Sequence, residues 1–328
     1  MDLPSAPFTQ QHTFMLATGI TLVLALASVI GFGLKITVAK RQPHGAIDNL
    51  NTRVNAWWVM SIVVGLALLA GKAGVTLLFA FASFVALREF VAPAPNEQSE
   101  RALLLVCLAV VLPLQYLLVA SGLYALYALF IPVVAMVVLP VMAAAVGRVR
   151  GEVRSEWRGA GERIATLQCG LVICVFCISH VPALLTLEIP GYEGRNAFLV
   201  IFLVLVVQSC DVLQYLWGKL AGRRRIAPTV SPSKTVEGSV GGIVSATALG
   251  ALLSPITPFS VGEAALISLT MTLLGFLGGL LMSAQKRRRG IKDWGTLIRG
   301  HGGMLDRLDS LFLSAPVFLN IVRIGWAA

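Results

Sequence analysis

Charge is scarce in this sequence. Asp, Glu, Lys and Arg make up 13% of its 328 residues, against 57% hydrophobic residues. Soluble domains carry about 25% charged residues, so a soluble globular chain is excluded. The mean hydropathy of +0.82 points to a polytopic membrane protein built as one membrane domain. Cysteine is scarce too. Cys107, Cys169, Cys174, Cys177 and Cys210 all fall inside apolar runs, which implies no disulfide framework. Cys174 and Cys177 have CxxC spacing, but no second pair completes a metal site, and packing is the simpler use. No basic stretch or small-residue cleavage site accompanies the first apolar run, so it reads as an anchor rather than a signal peptide. No internal repeat marks a transporter of two similar halves. No G-x-x-x-x-G-K-[ST] marks a P-loop. The net charge of +10 lies in short loops rather than on one amphipathic face. That distribution argues against nucleic acid and for anionic lipid and phosphate substrates.

What is present is hydrocarbon in runs. Ten apolar stretches lie near residues 14–34, 57–70, 73–87, 102–120, 123–146, 164–187, 197–216, 240–252, 264–282 and 311–324, to be compared with the roughly 20 residues that cross a bilayer. The second and third are separated only by Gly71-Lys72, which leaves a re-entrant pair open. The eighth is short and Gly-rich, with a start before residue 240 in prospect. The expected fold is all-α, a polytopic integral membrane helical bundle of about 9–10 transmembrane helices. N-terminal membrane helices fill 1–160 and the catalytic region fills 161–328. Loop charge sets sidedness. With ten crossings and both ends outside, 23 of the 26 Lys and Arg fall in the five inside loops, and only Lys72, Arg195 and Arg323 fall elsewhere. Cytoplasmic loops carry the Lys/Arg excess, so the expected location is the cell (inner) membrane, multi-pass, with the active site facing the cytoplasm. Arg88 and Glu89 close the third run, where they could line the cytoplasmic cavity, but at a helix end snorkelling suffices.

Three polar groups then share the cytoplasmic side. The first is Asp211, with Gln208, Ser209, Gln214 and Tyr215, in the seventh run. An ionisable residue there is a functional hypothesis by default, and Asp211, Gln214, Tyr215 and Gly218 share a helix face. The second is the segment 228–242, with Ser231, Ser233, Lys234, Thr235 and Glu237 ahead of a Gly-rich helix start. Backbone N–H groups at a helix start, with Ser and Lys, cradle phosphate oxygens. The third is the stretch 283–310, the longest polar run, with seven Lys or Arg, three Asp, one His and five Gly in 28 residues. Its basic run 286–289 is accounted for by topology. Gly300, His301, Gly302 and Gly303 permit close backbone approach to a ligand. Asp306 and Asp309 project from one helix face and suit Mg²⁺, which takes one or two carboxylates plus substrate phosphates. Arg307 and Lys292 are placed to neutralise phosphate, and Asp293 to add a further metal or water contact.

The spacing of this third group resembles the signature of the phosphatidate cytidylyltransferase (CDP-diacylglycerol synthase) family. Ser283, Lys286-Arg287, Lys292-Asp293, His301-Gly302-Gly303, Asp306-Arg307 and Asp309 stand at its positions, and Ser231 to Gly238 is similar to a second family segment. Three departures mark a divergent branch. They are Gln285, Arg299 and the residues Val212-Leu213-Gln214 between Asp211 and Tyr215. The resemblance implies an enzyme joining CTP and phosphatidate into CDP-diacylglycerol and diphosphate, with Mg²⁺ as cofactor. It implies Asp211, Asp306 and Asp309 as metal ligands, with Asp293 a further candidate. Ser231, Ser233, Lys234, Thr235, Glu237, Tyr215, Gly302 and Gly303 would line the substrates. Lys292, His301 and Arg307 would stabilise transferring or leaving charge. Transfer to another lipid phosphate, a CTP-dependent polyprenol kinase, and a lipid-binding or transport protein of the same fold stay open as alternatives. A homodimer through the small-residue face at Gly275, Gly278 and Gly279 is one further arrangement.

Overall fold

The computed structural model of the chain describes residues 6–37, 45–92, 98–150, 157–297 and 302–327. Apolar segments in a bilayer must satisfy their backbone groups internally, and helices do so. The described helices are α1 (Ala6–Thr37), α2 (Gly45–Leu69), α3 (Gly71–Val91), α4 (Arg101–Ala120), α5 (Tyr124–Ala145), α6 (Ile164–Thr186), α7 (Ala197–Leu220), α8 (Val236–Leu252), α9 (Val261–Arg288), the single turn α10 (Leu305–Leu308) and α11 (Leu311–Gly325). Seven of them, α1, α3 to α7 and α9, carry segments long and apolar enough to cross a membrane. Shorter apolar segments sit at Val54–Leu69, Val236–Leu252 and Leu311–Gly325. The chain is a multi-pass membrane helical bundle, as its composition requires.

The helix bounds decide two points that the sequence left open. Gly71, at φ 68°, turns the chain between α2 and α3, and α3 runs 21 residues. That is about 31 Å of helix, a full span rather than half of a re-entrant pair. The eighth helix begins at Val236, ahead of residue 240. Thr235 caps it, its Oγ1 accepting from Gly238 N at 3.1 Å, in the manner of an N-cap hydroxyl. The segment before it is a small β-hairpin rather than a loop. β1 (Arg225–Ala227) pairs antiparallel with β2 (Ser231–Thr235), with Arg225 opposite Thr235 and Ala227 opposite Ser231.

The core runs through α3 to α7, α9 and α11, with Phe90, Tyr127, Phe202 and Phe318 buried. Glycine lets the site-bearing helices touch. A Cβ on Gly242 of α8 would lie 2.4 Å from the Gln214 side chain of α7. A Cβ on Gly278 of α9 would lie 2.6 Å from the Asp309 carbonyl. The small-residue face of α9 is therefore filled by the chain's own residues. It is not the free face a second copy would need, which corrects the expected dimer route. Cys107, Cys174, Cys177 and Cys210 are buried and unbridged, as packing residues are.

Candidate active site

Helix length brings the basic run to the membrane surface. The 28 residues of α9 make about 42 Å of helix, against a hydrocarbon core of about 30 Å. Its N-terminus is fixed by a capping box, with Ser260 N donating to Glu263 Oε2 at 2.8 Å and Glu263 N to Ser260 Oγ at 3.4 Å. The surplus length therefore appears at the other end, where Lys286, Arg287 and Arg288 occupy the last turn. Cations there also complement the helix dipole. Topology alone does not describe them. Lys286 Nζ pairs with Asp306 Oδ1 at 2.7 Å, with side-chain exposures of only 11% and 7%. Arg287 donates to the carbonyls of Val230 and Ile291 at 3.2 and 3.3 Å. Arg289 donates to the Phe90 carbonyl and lies over the rings of Phe90 and Trp294. Arg288 alone of the four is exposed without such a contact drawn inward.

The loop that follows is organised by carboxylates. Gly302 sits at φ 82°, a left-handed conformation that glycine takes without strain. Asp306 Oδ2 accepts from Gly303 N and Trp294 N, each at 2.9 Å. Glu89, from the end of α3, reaches the same turn. Its Oε1 accepts from Met304 N at 3.0 Å and its Oε2 from Leu305 N at 2.8 Å. The glycine pair makes room for these two acids. A Cβ on Gly302 would lie 2.5 Å from Asp306 Oδ2, and one on Gly303 would lie 2.4 Å from Glu89 Oε2. The close approach foreseen at Gly302 and Gly303 is thus an approach by the protein's own carboxylates.

A second cluster lies next to this turn. Asp211 of α7, partly buried, has Lys234 of β2, Ser310 and Arg307 around it. Lys234 Nζ lies 3.1 Å from where a Cβ on Gly279 would stand, and 4.9 Å from the centre of the Phe276 ring. Gln208 Nε2 donates to the Arg307 carbonyl at 3.1 Å, tying α7 to α10. Burial, followed by the like charge of Asp211, pushes the Asp309 carboxyl up to about 7, against the pull of Lys286 and Lys234. Two acids that repel one another in a low-dielectric corner call for a cation. A carboxylate pair completed by substrate phosphate oxygens is a donor set that Mg²⁺ accepts, so these residues fit the ion. The full four-acid set does not form. Among the described residues no three His, Cys, Asp or Glu converge as a metal-holding group. Asp306 has both oxygens engaged, and Asp293 is exposed beside Gly302.

Of the residues expected from sequence, Asp211, Lys234, Asp306, Arg307, Asp309, Gly302 and Gly303 come together. Ser231 is buried in β2 and Ser233 is exposed on it. Thr235 is the cap described above. Glu237 Oε2 accepts from Arg223 N and Arg224 N at 2.9 and 3.1 Å, bracing the chain at the foot of the hairpin. Tyr215 is 51% exposed on α7, with Lys219 Nζ 5.8 Å from its ring centre, while Gln214 on the same helix is buried. Lys292 is exposed on the loop. His301 lies outside the described residues. Glu89 and Lys286 are noted in the sequence, as a helix-end group and as a signature position in a basic run, but neither is given a site role there. The rule applied to Asp211, that an ionisable group at a membrane helix is functional by default, applies equally to Glu89.

A bundle of membrane helices with paired acids and facing lysines at one surface is the arrangement of a membrane enzyme acting on phosphates, and comparison with known proteins agrees. Residues 51–324 match the Cytidylyltransferase family; the chain belongs to this family and is a nucleotidyltransferase. It is 35% identical over 285 residues to the uncharacterized protein YnbB of Escherichia coli (strain K12), covering 86% of this chain and 90% of that protein. It is 38% identical over 137 residues to the phosphatidate cytidylyltransferase of Staphylococcus saprophyticus and 36% identical over 137 residues to that of Staphylococcus aureus (strain COL). Each of these two matches covers 40% of this chain and 52% of the relative.

Proposed function

We propose that the protein is a phosphatidate cytidylyltransferase, forming CDP-diacylglycerol and diphosphate from CTP and phosphatidate. The observation that carries this reading is the pair Asp211 and Asp309 set among Lys234, Lys286 and Arg307, where α7, the hairpin, the last turn of α9 and α10 meet. It is a place where a lipid phosphate and a nucleotide triphosphate can both be held. A phosphate oxygen of the lipid attacks the α-phosphorus of CTP in line. The bond from that phosphorus to the bridging oxygen breaks, and diphosphate leaves with the electron pair. The nucleophile is already an anion, so positioning and charge neutralisation do the work and no general base is required.

In this reading Asp211 and Asp309 would hold Mg²⁺, which would supply positive charge against the phosphates. Lys234 meets a phosphate, with Ser231 and Ser233 on the same strand. Arg307 and Lys292 take up charge on the leaving diphosphate. Asp306 shapes the loop and holds Lys286 ready for a phosphate oxygen. The side carrying the polar loops faces the cytoplasm of the cell (inner) membrane, since nearly all Lys and Arg fall there. Phosphatidate arrives from the surrounding bilayer, its acidic headgroup drawn to the basic surface. The test is formation of labelled CDP-lipid from labelled CTP by the purified full chain, with phosphatidate competing against isoprenoid phosphates and free isoprenols. CDP-diacylglycerol as the main Mg²⁺-dependent product is expected. A phosphorylated isoprenol with no CDP-lipid, or no turnover of CTP at all, refutes the reading.

A further inference from the structure

We infer that Glu89 is a positioning residue for the proposed cytidylyl transfer: its carboxylate, carried by a helix of the N-terminal half, sets where the 302–309 loop stands. The inference rests on the function proposed above. Glu89 is the last acid of α3, one residue before the buried Phe90. A carboxylate used only to reach water would turn outward. This one turns inward and spends both oxygens on consecutive backbone N–H groups, Met304 N at 3.0 Å and Leu305 N at 2.8 Å. Bonds from backbone N–H to an ionised acceptor are among the stronger hydrogen bonds. The fit leaves no slack. A Cβ on Gly295 would stand 2.5 Å from Glu89 Oε1 and one on Gly303 2.4 Å from Oε2, so backbone closes on the carboxyl from two sides.

The next residue along α3 repeats the grip. The Phe90 ring stacks on Trp294 with centroids 5.1 Å apart, and Arg289 reaches the Phe90 carbonyl and both rings. Two adjacent residues of α3 therefore clamp the loop at its start and at its end. The Asp306 carboxylate takes Gly303 N and Trp294 N, so the two acids divide the donors of one turn between them. A loop held this way cannot shift without moving Asp306, Arg307 and Asp309 together. Shortening the Glu89 side chain by one methylene would draw the loop toward α3 or break its bonds. A displacement of about 1 Å at reacting groups can lower turnover about 100-fold.

The deciding variant is Glu89→Asp, which keeps the charge and both acceptor oxygens and alters only reach. Glu89→Gln is its companion, setting a donor against a backbone donor, and Arg88→Gln, on the exposed neighbour, is the control. With purified full chain, CTP and phosphatidate, Glu89→Asp and Glu89→Gln should each lower kcat about 10- to 100-fold while leaving the KM for CTP within about threefold, and Arg88→Gln should change neither. Hydrogen exchange at the amides of 303–305 should quicken in both Glu89 variants, with protection in α7 and α9 unchanged. That second readout needs no turnover. If the wild-type chain makes no CDP-lipid, the proposed function fails while the exchange data still decide the clamp. Unaltered kcat in Glu89→Asp, or unaltered exchange at 303–305, overturns the role of Glu89. So does a fall in kcat matched by an equal loss of folded protein.

Discussion

The first two helices and the last five solve different problems with the same bilayer. In α1 most described apolar side chains are exposed, and α2 exposes a further row, with Phe14, Leu22, Val29 and Leu66 all above 60%. The contacts across this hairpin are few and conventional. Trp58 Nε1 donates to Ser28 Oγ at 3.0 Å, Asn51 Nδ2 to the Gly31 carbonyl at 3.3 Å, and Lys35 pairs with Asp48. Around α7 to α11 the charges are drawn inward, and glycines bring backbones within touching distance. Lipid is as apolar as leucine, so a helix facing it gains little by packing closely. Close packing and buried charge appear together where a polar reaction has to be housed. The same contrast recurs within three residues, between an Asp306 saturated by its own chain and an Asp309 facing a like charge.

Substitutions should reproduce that contrast, in falling order of effect. Asp211→Asn and Asp309→Asn, each removing one of the pair offered to Mg²⁺, are expected to lower CDP-lipid formation about 1,000-fold. If both variants keep wild-type turnover, the metal assignment is wrong. Asp306→Asn should lower turnover less, about 100-fold, through loss of the Lys286 pair and a loosened loop. It should leave the Mg²⁺ concentration for half-maximal rate unchanged, and a large rise in that value would move Asp306 into the metal's shell.

The pH dependence tests Asp309 on its own. Asp309 has its folded pKa raised to about 7, above the ordinary Asp value near 3.9. Its protonated form is therefore favoured by folding. That stability is fully present below the unfolded pKa and is lost as pH rises through about 7. Without metal the protein should melt lower at pH 8 than at pH 6. Mg²⁺ competes with the proton, so the ion should raise the melting temperature more at pH 8 than at pH 6. An equal rise at both pH values would place the ion elsewhere.

Smaller effects test packing. Gly303→Ala drives a methyl toward Glu89 Oε2, 2.4 Å away, and should cost about 1–3 kcal/mol of stability, read as a lowered melting temperature. Gly33→Ala in α1, where nothing stands within 4 Å, should be neutral or slightly stabilising by helix propensity. Trp58→Phe, losing one part-buried hairpin bond, should change stability by no more than about 1 kcal/mol and leave turnover intact. A catalytic defect in either α1–α2 variant would break the division drawn between the two regions.

Much of the bundle was legible because its signals are local. Apolar runs in a bilayer can satisfy their backbone as helices, so a polytopic helical bundle was legible; of the ten runs, seven lie in helices long and apolar enough to cross, and those at Val54–Leu69, Val236–Leu252 and Leu311–Gly325 are shorter. The spacing of Asp306 and Asp309, the Gly pair before them and the isolated Asp211 mark chemistry on the chain itself. The roles of Lys286, Glu89 and Phe90 were not legible. Lys286 stands in a basic run that topology already accounts for. Glu89 sits at a helix end where snorkelling already accounts for it. Its partners Met304 and Leu305 are 215 and 216 residues further on, and no local pattern reports a contact of that range.

The sequence by itself determined that this chain spans a membrane many times and where its basic loops and its acids lie along the chain, because length, hydropathy and spacing are properties of contiguous residues. Only the tertiary structure decided which acid is spent on the protein's own backbone and which is left facing another. That choice depends on which N–H and ammonium groups the folded helices bring within about 3 Å of each carboxylate, and proximity of that kind exists only once the bundle has closed.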